Sequence, residues 1–202
     1  MIINFEGIHG CGKTTQSKKL LENLQDRGLS VKYIGSSDKP LSKYGMDFLR
    51  KEGKQDPETL FYLSLANNYS IQRLLREHHK QFFILDRYIH TDISSTLAGG
   101  VNLDWIRMVT SPFVMPDLVF LLDLDPSVAL ERRFGKSNAI EEGKYQVGSS
   151  DGFIDYQRKI REAYLIMAKS DPRMQILDGS SPIKDLGNQV MVSLEGLLKK
   201  NG

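Results

Sequence analysis

The segment Gly7 to Thr14, GIHGCGKT, limits what this chain can fold into more than any other. Gly7 and Gly12, with four residues between them, are followed by Lys13 and Thr14, the spacing of a phosphate-binding loop. Glycines let main-chain N–H groups converge on a phosphate, and a helix starting at Lys13 adds its positive end. The cradle would comprise Gly7, Gly10, Cys11, Gly12, Lys13, Thr14 and Thr15. Lys13 would reach the β and γ phosphates of a nucleotide, and the Thr14 hydroxyl would hold Mg²⁺. Such a loop works only where a strand leads in and a helix leads out. The motif therefore predicts an α/β fold with a parallel sheet.

The rest of the chain carries that pattern. Short apolar runs at Ile2–Phe5, Val31–Ile34, Phe82–Leu85, Leu118–Leu122 and Met174–Leu177 read as strands buried on both faces. Helical spacing lies between them. One helix should run from the loop to near Gly28, with Leu20, Leu21 and Leu24 inward. Asp56-Pro57 and Asp125-Pro126 are start signals for two more. A fourth begins at Phe153, carrying Tyr156, Ile160, Tyr164 and Met167. The last opens at Ser181-Pro182, with Ile183, Leu186, Val190, Leu194 and Leu197 on one face. Alternating strands and helices predict one α/β domain over 1–202, covered by helices on both faces. Residues 36–79 are too long for a simple crossover, and the polar, glycine-rich 135–150 has the composition of a closing loop. Such insertions at strand carboxyl ends are where α/β proteins place ligands.

Two further positions bear on chemistry. Asp86 ends the third apolar run and is placed to hold the metal, directly or through water, while Arg87 can clamp a second phosphate. The same pair taken alone would serve as a structural ion pair. Arg132, Arg133, Lys136 and Lys144 flank or lie in the polar loop. They are either a solvated surface, diluted by Glu131, Glu141 and Glu142, or the cations of a lid that neutralises a transferring phosphoryl group. In the second reading Arg133 and Lys136 are the catalytic contributors. Cys11 reads as a small residue tolerated among close-packed main chain.

Together these segments resemble the thymidylate kinase family, which transfers the γ-phosphoryl group of ATP to dTMP. The resemblance rests on FEGIHGCGKTTQ, ILDRYIHT, PDLVFLLDLDPSVALERR and FIDYQRKIREAY, which span most of the chain. It implies a P-loop kinase with a five-stranded parallel sheet, an acceptor-binding insertion over 36–79, a lid over 135–150, ATP and Mg²⁺ as cofactors, and a homodimer. It assigns Asp86, Arg87 and Tyr88 to the family's Asp-Arg-Tyr motif, with Arg87 orienting the acceptor phosphate. His9 falls where the family has a carboxylate near the acceptor sugar. Gly10 falls where some members carry a loop arginine, and a glycine there implies an arginine supplied by the lid. Ser64 and Asn68 fall on base-reading positions that normally hold an aromatic residue and an arginine, so Asn68 is the candidate base contact. Phe61, Tyr62 and Tyr69 read as core, with a platform for the acceptor base as the alternative. Lys39 or Arg50 would replace an arginine missing after the second strand.

These departures bear on the acceptor, not on the donor chemistry. Besides the dTMP kinase stand a kinase for another monophosphate or for a nucleoside, with Asp38 as base, and a non-catalytic ATP-binding interaction protein. Net charge is +2, from 27 basic and 25 acidic residues, which argues against a nucleic-acid partner or a membrane surface. A single cysteine excludes an internal disulfide and, without a signal-peptide pattern in MIINFEG, suggests a cytoplasmic protein with small-molecule substrates.

Overall fold

Five parallel strands form one sheet in the order β2-β3-β1-β4-β5. They are β1 (Ile2–Glu6), β2 (Val31–Ile34), β3 (Phe82–Asp86), β4 (Leu118–Asp123) and β5 (Met174–Asp178). The computed structural model describes residues 1–35, 45, 51–53, 55–78, 81–138, 141–143 and 152–201. Central β1 pairs with β3 on one side, Phe5 opposite Asp86, and with β4 on the other, Phe5 opposite Phe120. The chain builds one half of the sheet through β2 and β3, then crosses β1 to add β4 and β5. The carboxyl end of β1 is thus the point where the winding reverses, and crevices form there.

The apolar strand residues make the core. Ile3, Phe5, Phe83, Ile84, Leu85, Val119 and Phe120 are wholly buried, each stabilising the fold by about 1.5–3 kcal/mol. The outer strands differ from expectation. In β5 alternate residues are open and Ile176 is 50% exposed, because an edge strand is covered on fewer sides.

Helix α1 (Lys13–Asp26) leaves the loop and buries Leu20 and Leu24, while Leu21 is half-buried. The long α2 (Pro57–Glu77) has Asp56 as its N-cap, accepting from the Thr59 N–H at 2.8 Å. In α5 (Pro126–Arg132), Asp125 does the same for Ser127 N at 2.8 Å. Helices α6 (Phe153–Ser170) and α7 (Ile183–Asn201) follow the expected apolar faces, except that Ile183, at the start of α7, is 55% exposed. Two helices have no counterpart in the sequence reading: α3 (Ile89–Ala98) and α4 (Leu103–Thr110). The hydroxyl-rich IHTDISSTLA has weak intrinsic helicity, and α3 is held by packing on α2 and α6.

Candidate active site

The loop between β1 and α1 lies at the crevice. Gly7 has φ 134°, and a Cβ there would meet the Leu122 carbonyl of β4 at 2.6 Å, so only glycine lets the loop turn this tightly against the sheet. Lys13 is 5% exposed and folds back over the loop. Its ammonium donates to the carbonyls of Gly7 at 3.0 Å and Ile8 at 2.6 Å, and lies 3.4 Å from Cys11 Sγ. Burial and the Arg87 guanidinium push Lys13 below its usual range, against the opposing pull of Asp86 and Glu6. Cys11 is packed into the loop at 1% exposure and borders the cavity beside it together with Gly10 and Gly12.

Thr14 and Asp86 meet. The threonine hydroxyl donates to Asp86 Oδ2 at 2.5 Å, and the Tyr33 hydroxyl donates to the same oxygen at 3.2 Å. This is an oxygen-only donor set at the mouth of a phosphate loop, which suits Mg²⁺. Arg87, the next residue, has φ 73°, a left-handed conformation that costs a non-glycine residue roughly 1–3 kcal/mol. Its N–H donates to the Phe5 carbonyl at 3.1 Å. Wholly buried Glu6 holds the same corner. Its Oε1 accepts from Tyr88 N at 2.8 Å and Asn4 Nδ2 at 2.9 Å, and its Oε2 accepts from the hydroxyls of Thr91 and Tyr164, both at 2.7 Å. Burial raises the Glu6 pKa, but the facing His90, the Thr91 bond, Arg87 and the Tyr164 bond outweigh it and keep the carboxyl ionised.

A second cluster joins the loop to α5, α6 and the segment between them. Gln157, buried on α6, accepts from His9 N at 3.1 Å and donates to the Glu141 carbonyl at 2.8 Å. The Glu141 carboxylate meets His9 Nδ1 at 3.2 Å and Arg133 Nη2 at 2.7 Å. Arg133 also donates from Nε to the Lys136 carbonyl at 2.9 Å, and its guanidinium lies 5.9 Å from the Phe153 ring centroid. Gly10 is what admits it: with φ 86°, a Cβ there would meet Ala129 O at 2.9 Å and Arg133 Cδ at 3.1 Å. The glycine and the arginine from beyond the loop are thus spatial neighbours. Burial and Arg87 lower the His9 pKa, the Glu141 bond raises it, and Lys13 lowers it further; the balance keeps the imidazole neutral.

Beside the loop is a cavity of about 380 Å³, lined by Gly10, Cys11, Gly12, Thr15, Arg132 and Gly179 among others. Arg132 braces it by donating to the Gly179 carbonyl at 2.9 Å. Lys136 is exposed, and only its main chain joins the Arg133 contact.

Other expected residues are placed differently. The Tyr88 ring is wholly buried core, so its link to the site is its main-chain N–H on Glu6. Asn68 is buried between α2 and α3, where its amide donates to Asp92, the neighbour of the Thr91 that Arg87 touches. Tyr62 and Tyr69 are 54% and 63% exposed, correcting the core reading, whereas Phe61 is core at 1%. Asp38, Lys39, Arg50 and Lys144 lie outside the described residues. Glu6, Thr91, Tyr164, Glu141 and Gln157 were not picked out as site residues in the sequence. A polar residue ending an apolar strand, or interrupting the apolar face of α6, is the only trace that Glu6 and Gln157 leave, and Glu141 stands only among the acidic residues that dilute the loop cations.

Comparison with known proteins gives a consistent set of likenesses. A family model described as thymidylate kinase matches residues 5–190. A probable thymidylate kinase of Sulfolobus acidocaldarius is 33% identical over 185 residues, covering 92% of this chain and 91% of that protein. Probable thymidylate kinase 1 of Saccharolobus solfataricus is 33% identical over 201 residues, covering 99% and 97%. Among solved structures, the thymidylate kinase of Candida albicans superposes with a TM-score of 0.72 at 24% identity, over 96% of this chain and 91% of that one, a likeness of fold.

Proposed function

The chain belongs to the thymidylate kinase family, and we infer that it is an ATP-dependent kinase that transfers the γ-phosphoryl group of ATP to dTMP, giving dTDP. One observation carries the reading at the level of residues. Lys13, the Thr14–Asp86 pair and Arg87 converge on the mouth of one phosphate loop. In this reading 1–202 acts as one unit, with 36–79 as the acceptor insertion and 135–150 as the lid. The loop amides and Lys13 hold the ATP phosphates, and the cavity beside Arg132 takes the rest of the donor. Thr14 and Asp86 would hold Mg²⁺, which would supply positive charge to the donor phosphates. Arg87 orients the acceptor phosphate, while Arg133 and Lys136 contribute lid charge. The acceptor oxygen forms a bond to the γ phosphorus as the bond to the β-phosphate oxygen breaks, and ADP leaves with the electron pair. The acceptor is already anionic, so no strong general base is needed. His9 and Asn68 are proposed contacts of the acceptor nucleotide. Exposed Tyr62, Leu63 and Tyr69 on α2 are the apolar surface that a homodimer would cover.

A coupled ADP-release assay across deoxy- and ribonucleoside monophosphates, with thymidine alongside, tests this reading. dTMP is expected to give the highest kcat/KM, thymidine no stimulation, and Lys13→Ala a loss on the order of 10²–10³-fold. Turnover with thymidine and not dTMP would replace the reading with a nucleoside kinase. No stimulation by any monophosphate would leave an ATP-binding interaction protein.

A further inference from the structure

His9 and Glu141 form a contact that phosphoryl transfer itself does not require. We propose that Glu141 is a positioning residue that keeps the His9 proton on Nδ1, so that Nε2 is a bare acceptor for a hydroxyl donated by the sugar of the acceptor nucleotide. The inference rests on the kinase reading for the identity of that ligand, and on geometry for everything else.

His9 Nδ1 lies 3.2 Å from Glu141 Oε1. An ionised carboxylate only accepts, so the ring nitrogen facing it must donate, and a neutral imidazole has one N–H to give. Nε2 is then left with its lone pair. A second proton would place another cation beside Lys13 and Arg87, whose charges already oppose it. The tautomer is held by a closed circuit. Glu141 Oε2 accepts from Arg133 Nη2 at 2.7 Å and from Asn138 N at 3.1 Å. Gln157 ties the Glu141 carbonyl to the His9 N–H. Backbone and ring of His9 are therefore fixed through one pair of neighbours, as outer-layer carboxylates fix metal-bound histidines.

Exposure separates the two roles. The Glu141 side chain is 6% exposed and the His9 side chain 32%, so the imidazole is the group a ligand can reach. His9 feels the charge of Arg87 and is not among the residues lining the cavity beside Arg132 and Gly179, which points to the acceptor as that ligand. dTMP has one free sugar hydroxyl, at the 3′ position. An acceptor at Nε2 favours it over a 3′-fluoro analogue, which cannot donate, by about 10-fold for one hydrogen bond.

The test uses the full-length chain with ¹⁵N-labelled histidine. Long-range ¹H–¹⁵N spectra should show His9 protonated at Nδ1 and bare at Nε2, with Nε2 shifting on addition of dTMP and not of its 3′-fluoro analogue. Glu141→Ala should move the proton to Nε2 and reduce the kcat/KM preference for dTMP over the analogue to about 2-fold. His9→Asp should lower kcat/KM for dTMP by about 10-fold, by setting two carboxylates together, and Glu141→Gln in the same chain should restore most of it. That rescue needs no variant lacking a side chain at 141. A wild-type proton on Nε2, or a Glu141→Ala protein with unchanged tautomer and preference, overturns the proposal. Absence of dTMP turnover in the wild type would sink the kinase reading instead, and the spectra would still decide the tautomer.

Discussion

Glu6 shows how much one residue can organise. It is wholly buried, and its two oxygens accept four hydrogen bonds, one of them from the residue that follows the strained Arg87. The folded state holds its pKa below the usual carboxylate value. A depressed folded pKa means that Glu6 contributes stability in full above its unfolded pKa of about 4.3, and loses it as pH falls from there through the lower folded value. Urea-unfolding midpoints measured from pH 7 to pH 3 should fall on the acid side, and Glu6→Gln should flatten that limb. The same substitution should lower kcat, because a neutral amide cannot accept all four bonds that hold the Arg87 corner. An acid limb unchanged in Glu6→Gln would remove Glu6 from this account.

Helix α6 links strands to site. Arg161 forks onto Asp123 at the end of β4, Nε to Oδ1 at 2.6 Å and Nη2 to Oδ2 at 2.8 Å, while Gln157 and Tyr164 of the same helix reach the loop and Glu6. Lysine keeps the charge and loses the fork. Arg161→Lys should therefore destabilise by up to about 1 kcal/mol in urea unfolding, the ceiling for a pair this accessible. An unchanged midpoint would mean the bridge contributes nothing. The start of α6 was legible, since Phe153, Tyr156, Ile160, Tyr164 and Met167 recur at helical spacing. Helix α3 was not, because its hydroxyl-bearing residues favour helix only once neighbouring elements cover them.

At the scale of the whole molecule, Tyr62 and Tyr69 lie seven residues apart on α2, hence on one face, and both are open. If that face joins two copies, Tyr62→Glu with Tyr69→Glu should convert a dimer to a monomer in sedimentation experiments at micromolar concentration. A wild-type monomer would dismiss the homodimer. The chain by itself determined the phosphate loop, all five strands and the capped helices. These depend on neighbours in sequence: glycine freedom, apolar runs, and Asp-Pro pairs that cap their own helices. Only the tertiary structure decided which charges face one another. Glu6 beneath Arg87, Gly10 beneath Arg133 and Glu141 against His9 join residues that are far apart along the chain or separated by a polar loop with no periodicity. Local spacing cannot encode such contacts, because the strand order and helix packing that create them form only when the sheet closes.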